Sequence, residues 1–92
     1  MPRERLLDVR GLAPPEPLER VLAMLPALGA EQYLRVLLHR EPFPLYALLE
    51  QSGFAWRARA VHDMTFEIFI WRRADADARA AVQDLFAENR SA

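Results

Sequence analysis

The spacing of hydrophobic residues in the first third of the chain predicts a short strand followed by a helix. Residues 6–9 form a short apolar run of the kind found in β-strands. From Pro15 onward the apolar residues recur every three or four positions, as on the buried side of an α-helix. The members of this stripe are Leu18, Val21, Leu22, Leu25 and Leu28. Pro26 is expected to loosen the last turn of this helix, and Gly29 to end it.

Three further segments predict strands, and the first two of them alternate between polar and apolar residues along the chain. They are residues 31–39, 54–62 and 65–72. Asp63 and Met64 lie between the last two segments and predict the turn that joins them.

Two further helices are predicted from helical spacing. Residues 40–44 form a rigid, proline-rich elbow, and the helix that follows ends at Gly53. Its apolar side consists of Leu45, Leu48 and Leu49. A last helix over residues 75–89 carries Val82, Leu85 and Phe86 as its apolar stripe.

The resulting order is β-α-β-α-β-β with a C-terminal helix. Right-handed crossovers place both early helices on one face of a single sheet, which predicts a two-layer α/β sandwich of the α+β class. Ninety-two residues suffice for one domain. We expect residues 1–73 to form the sandwich. Residues 74–92 are expected to pack as a helix on its own sheet or in a homodimer.

The sheet face opposite the early helices is predicted to be rich in arginine and aromatic residues. Alternation assigns to it Tyr33, Arg35, Leu37, Arg57, Arg59, Glu67, Phe69 and Trp71. Such a face is either an apolar surface that the last helix covers or, if exposed, a stacking platform for RNA. Glu67 beside Arg57 or Arg59 is expected to form a cross-strand charge pair.

The composition excludes several kinds of chemistry. The chain contains no cysteine, which excludes disulfides, thiolate metal sites and cysteine nucleophiles. All twelve basic residues are arginine, so Schiff-base chemistry on lysine is excluded as well. The net charge of −1 disfavours nucleic acid as a partner. The apolar runs are too short for a membrane helix, and a cytoplasmic location is the default expectation.

The motif LDxxGLxxPxP at residues 7–17 resembles the opening of the TusA-like (SirA-like) sulfur-carrier proteins. Those proteins open with Leu-Asp and Gly-Leu, followed by Cys-Pro-x-Pro at the start of the first helix. The resemblance covers about residues 6–73 and implies a mixed four-stranded sheet of order 1-2-4-3, with strand four antiparallel to the rest. Pro14 stands at the cysteine position. We therefore expect no persulfide and no sulfur transfer.

The segment from His39 to Leu45 is similar to the elbow of an uncharacterised bacterial branch of this fold. Proteins of that branch often occur beside, or fused to, hemerythrin-like domains. The resemblance therefore implies a role in redox or nitrogen-oxide metabolism.

In the implied topology, the C-terminal ends of strands one, two and three share one rim of the sheet. The polar residues expected there are Asp8, Arg10, Glu16, His39, Arg40, Glu41, His62 and Asp63. The first six are the candidate ligand-binding residues, because helix N-termini at this rim favour an anionic ligand. His39 and His62 are candidate ligands of a divalent or redox metal. The alternative is that the histidines are ordinary exposed side chains and the glutamates only complement helix dipoles, so no cofactor is predicted.

Three functions follow from these observations. The first is a binding module that takes a protein partner or a small anionic ligand at the rim. The second is a metal-dependent or acid–base enzyme that uses His39, Arg40 and Glu41, although no nucleophile–base set is recognisable. The third is RNA binding through the opposite sheet face.

Overall fold

The computed structural model describes the backbone of residues 3–91 and the side chains of residues 3–88. Its strands are β1 (Arg3–Asp8), β2 (Gln32–Leu38), β3 (Phe54–Val61) and β4 (Thr65–Arg72). Its helices are α1 (Glu16–Met24), α2 (Phe43–Gln51) and α3 (Ala76–Ser91), with a single 3₁₀ turn at Leu25–Ala27. The observed order is the predicted one. No helix in this part of the chain has the length and apolar character needed to cross a membrane.

The four strands form one mixed sheet of order β1-β2-β4-β3. β1 and β2 are parallel, and β4 runs antiparallel to both of its neighbours. The α+β class and the strand order are thus confirmed. One face of the sheet packs against α1 and α2 through Val21, Leu34, Val36, Leu45, Leu49, Ile68 and Ile70, all fully buried. Each such side chain contributes about 1.5–3 kcal/mol by leaving water.

The first helix ends earlier than its apolar stripe predicts. α1 stops at Met24 and the chain continues as the 3₁₀ turn, in which the Leu28 N–H donates to the Leu25 carbonyl at 3.1 Å. Pro26 lacks the N–H that an α-helix would use there. Gly29 does not end the helix. Its N–H donates instead to the Gln32 side chain at 2.7 Å.

The second helix begins inside the predicted elbow. Pro44 occupies the first turn of α2, where a missing N–H removes no helical hydrogen bond. Gly53 follows the helix with φ +83°, a conformation that favours glycine, so its role as the stop is as predicted.

Helix α3 covers the opposite face of the sheet. Val82 and Ala78 are fully buried against Phe69, and Tyr33 and Trp71 pack in the same cluster. The aromatic side chains predicted on this face, Tyr33, Phe69 and Trp71, are therefore buried and do not offer a stacking surface for RNA.

A carboxylate lies at the centre of this face. Glu67 is 2% exposed and accepts hydrogen bonds from Arg59 Nε at 2.7 Å and from Arg35 Nε at 2.6 Å. Burial opposes its ionisation, but the two guanidinium groups outweigh that effect and lower the pKa of Glu67. The predicted charge pair thus forms with Arg59 and Arg35. Arg57 instead lies over the Phe86 ring, 4.2 Å from its centroid.

Asp75 fastens the start of α3 to the loop that precedes β2. One carboxylate oxygen accepts from the Ala78 N–H at 3.0 Å, as in an N-cap, and the other accepts from the Glu31 N–H at 2.8 Å. These backbone hydrogen bonds lower the pKa of Asp75.

The turn between β3 and β4 has an uncommon backbone. Asp63 and Met64 both have positive φ, 59° and 56°, and the Thr65 N–H donates to the His62 carbonyl at 3.2 Å. This is a hairpin turn of the type that prefers glycine at its second central position. Met64 is 83% exposed there, so no packing contact offsets its strained conformation.

Replacing Asp75 by alanine should lower the free energy of unfolding by roughly 1–2 kcal/mol, because both backbone donors lose their acceptor. Asp75→Asn is the matched control, since asparagine also caps helices. It should lower the free energy of unfolding by less than half as much as Asp75→Ala does. Chemical denaturation measures both variants. An alanine variant as stable as the parent protein would contradict this role of Asp75.

Replacing Met64 by glycine should stabilise the protein by about 0.5–1 kcal/mol. The left-handed backbone costs a non-glycine residue about 1–2 kcal/mol, of which glycine's larger chain entropy offsets part. Met64→Ala keeps a Cβ atom and should bring no such gain. Thermal unfolding distinguishes the two substitutions, and equal melting temperatures would argue against strain at this turn.

Candidate functional site

The C-terminal ends of β1, β2 and β3 lie along one rim, because β4 is antiparallel to β2 and β3. Three connections follow one another there. The proline loop, residues 9–17, follows β1; the elbow, residues 39–44, follows β2; and the hairpin tip, residues 62–64, follows β3.

A cleft of about 700 Å³ opens between the proline loop and the elbow. Most of its wall is apolar or proline. The lining residues of this kind are Val9, Gly11, Leu12, Ala13, Pro14, Pro15, Pro17, Leu18, Leu38, Pro42, Pro44 and Leu45. Proline restricts the backbone, so the walls are preformed. Ligand sites commonly combine such a preformed apolar wall with a few polar groups.

Three of the six candidate ligand-binding residues line this cleft. His39, Arg40 and Glu41 follow β2 directly and form its polar border. Asp8, Arg10 and Glu16 do not line it.

Asp8 and Arg10 are engaged with each other. Arg10 donates from Nε to Asp8 Oδ1 at 2.9 Å and from Nη2 to Oδ2 at 2.7 Å, and its backbone N–H also donates to Oδ1 at 3.0 Å. The side-chain hydrogen bonds, then the backbone hydrogen bond and the charge of Arg10, lower the pKa of Asp8 from 3.8 to about 2. The pair therefore fixes the entrance to the proline loop.

Glu41 also has a hydrogen-bond partner. It accepts a hydrogen bond from the Tyr46 hydroxyl at 3.0 Å. Burial, followed by this carboxylate, raises the pKa of Tyr46, so the hydroxyl remains a donor at neutral pH. Tyr46 had no place among the predicted site residues, because a five-residue separation from Glu41 is not a recognised pairing signal.

The remaining candidates lie apart. Glu16 pairs with Arg20 at 2.8 Å along the surface of α1, as first-turn acids commonly do. His62 and Asp63 lie at the hairpin tip and do not line the cleft. Within residues 3–88 no group of three or more His, Asp or Glu side chains is placed to hold a metal ion. The predicted metal pair, His39 and His62, is thus not part of any such group among these residues.

The fold and rim place the chain among the SirA-like α+β sandwiches. The crystal structure of the SirA-like protein from Desulfitobacterium hafniense superposes with a TM-score of 0.64 at 21% identity, over 74% of this chain and 95% of that one. Residues 6–72 match the family described as "uncharacterized conserved protein (DUF2249)". The chain belongs to this family, as the resemblance of its opening motif and elbow predicts. No curated protein matches the chain.

The Asp8–Arg10 pair gives a prediction about pH. Because the pKa of Asp8 is lower in the folded than in the unfolded chain, the pair stabilises the fold above about pH 4, and this contribution is lost as the pH falls toward 2. In Arg10→Gln the pKa of Asp8 should rise part of the way to 3.8, since the backbone N–H still donates. Carboxyl ¹³C NMR titration measures this value. Arg20→Gln should leave it unchanged, and an unchanged value in Arg10→Gln would contradict the assignment.

Proposed function

We propose that this protein is a binding module whose ligand occupies the rim cleft. The ligand class is an apolar group that carries an anionic head, either as a small molecule or as part of a protein partner. The observation that carries this proposal is the cleft itself, in which a proline-rich apolar wall ends at His39, Arg40 and Glu41.

The rigid wall supports binding without rearrangement. Five prolines line the cleft, namely Pro14, Pro15, Pro17, Pro42 and Pro44. A preformed wall lowers the entropic cost of binding, because the loop does not have to become ordered around its ligand. Leu12 and Leu18 are half-buried and offer apolar surface, while the buried Leu38 and Leu45 lie beneath the cleft.

The charge at the border supports an anionic head. Asp8 is neutralised by Arg10, and the Glu41 carboxylate accepts a hydrogen bond from the Tyr46 hydroxyl, which positions this carboxylate but leaves its charge in place. Among the described side chains no carboxylate lies within salt-bridge distance of Arg40, which is exposed beside His39. A planar guanidinium suits a carboxylate or a similar anion.

The proposed module works without sulfur transfer. Pro14 lines the cleft at the position where TusA-like carriers have their cysteine, and the 92 residues contain no thiol. A role in redox or nitrogen-oxide metabolism stays a prediction of the family resemblance.

The test uses two probes that share one apolar group, phenylacetate and its uncharged counterpart phenylacetamide. Phenylacetate should shift the backbone amide signals of Leu12, Leu38 and Leu45 in a ¹H–¹⁵N NMR titration at pH 7. Its Kd should be about 1.4- to 5-fold lower than that of phenylacetamide, which is the range for one exposed ion pair.

Arg40→Gln should remove the difference between the two probes while phenylacetamide binding stays the same. Arg20→Gln, the matched control on α1, should retain the difference. Shifts outside the cleft, or equal affinity of the parent protein for both probes, would refute the proposed site.

A further inference from the structure

The outer edge of β3 offers a second binding surface, and no residue of this strand lines the rim cleft. We propose that this edge accepts an extended peptide segment as a fifth strand, with acidic side chains on one of its faces and apolar side chains on the other. Three features of the edge support this assignment: its backbone, its aromatic side and its cationic side.

The backbone of β3 has the capacity to pair with another strand. Among the described strands, β3 pairs only with β4, so every second residue directs its N–H and C=O groups away from the sheet. The strand is eight residues long, Phe54–Val61, and contains no proline. An added strand obtains its main-chain hydrogen bonds from such an edge, and pockets for alternate side chains supply specificity.

An aromatic patch borders this edge on the side of α2. It consists of Phe43, Tyr46 and Trp56. The Tyr46 and Trp56 rings stack with centroids 5.2 Å apart and planes 3° apart, and Phe43 packs edge-on to Tyr46 at 6.1 Å. Phe43 is 68% exposed, which is unusual for a side chain of its size. Apolar side chains of a fifth strand on this side would extend the patch.

The side toward α3 is cationic. Arg57 is exposed and lies over the Phe86 ring, and no described carboxylate lies within salt-bridge distance of it. Arg59, two residues further along, is already engaged with Glu67. An acidic side chain on the added strand would stand directly opposite Arg57, where opposite charges stabilise a strand pair.

The same arginines disfavour a second copy of the chain as the occupant. In the two antiparallel β3–β3 registers that overlap most fully and continue both faces of the sheet, Arg57 would stand opposite Arg57 or Arg59 of the other copy. Like charges at directly opposed positions destabilise strand pairs. The charges of the edge therefore select an acidic partner.

The test uses the capped peptide Glu-Val-Glu-Val-Glu-Val-Glu and a control peptide with lysine in place of each glutamate. The acidic peptide should shift ¹H–¹⁵N signals of residues 54–61 and the Trp56 indole. It should also slow hydrogen exchange of alternate β3 amides by about tenfold at saturation, because these amides gain a carbonyl partner. The lysine peptide should do neither.

Charge reversal tests the specificity. Arg57→Glu should no longer bind the acidic peptide and should bind the lysine peptide instead. Arg3→Glu on β1, the opposite edge strand, should bind both peptides as the parent protein does. If Arg57→Glu fails to fold, Arg57→Gln should still weaken acidic binding by a few-fold. Three outcomes would overturn the proposal: NMR shifts confined to the rim cleft, equal binding of both peptides, or no shift at a peptide concentration of about 1 mM, which corresponds to weak binding. None of these outcomes depends on the probes of the rim cleft.

Discussion

The fold depends on strand β4, which must be covered on both faces. Its residues 67–71 are all buried, so neither face of the sheet can be left to water. Ile68 and Ile70 belong to the core under α1 and α2, while Phe69 and Trp71 belong to the core under α3. Leaving a side chain as large as Phe69 in water would cost about 1.5–3 kcal/mol. The packing of α3 keeps Phe69 and Trp71 out of water on this face.

Glu67 shows how a charged side chain is accommodated in a strand that is buried on both faces. It lies in the same buried stretch, and both of its oxygens accept from guanidinium groups on the neighbouring strands. Removing either partner would leave part of a charge buried without compensation, which is costly. Arg35 and Arg59 consequently hold β2, β4 and β3 in register at this point, in addition to the backbone ladder.

Hydrophobic periodicity was sufficient for the order of the elements, because each of them contains a recognisable apolar run or stripe. β4 was predicted over Thr65–Arg72, as observed. The errors lie at helix ends next to prolines. The stripe predicted that the first helix runs on to Leu28, whereas α1 ends at Met24 and continues as a 3₁₀ turn, in which Pro26 loosens the last turn as predicted. Pro44 joins the helix that was predicted to follow it. Periodicity does not register these local effects, because the apolar stripe continues through them.

The location of the candidate site could be predicted from the sequence, but the interactions between its side chains could not. Topology alone brings the proline loop and the elbow together, and with them His39, Arg40 and Glu41. Which acids remain available is decided by side-chain partners. Asp8 is paired with Arg10 two residues away, and Glu41 accepts a hydrogen bond from Tyr46 five residues further along the chain. Such choices depend on rotamers, which residue spacing does not specify.

The hydrogen bonds of Asp75 bear on which residues form the folded domain of this chain. The family match ends at residue 72, and Asp75 lies just beyond it, yet its carboxylate holds the backbone of Glu31 inside the matched region. One of the two cores is completed by Ala78 and Val82, which also lie outside the match. The stretch that matches the family and the stretch that completes both cores therefore do not coincide here. A fragment cut at the end of the match would keep the sheet but lose the side chains that close its second face.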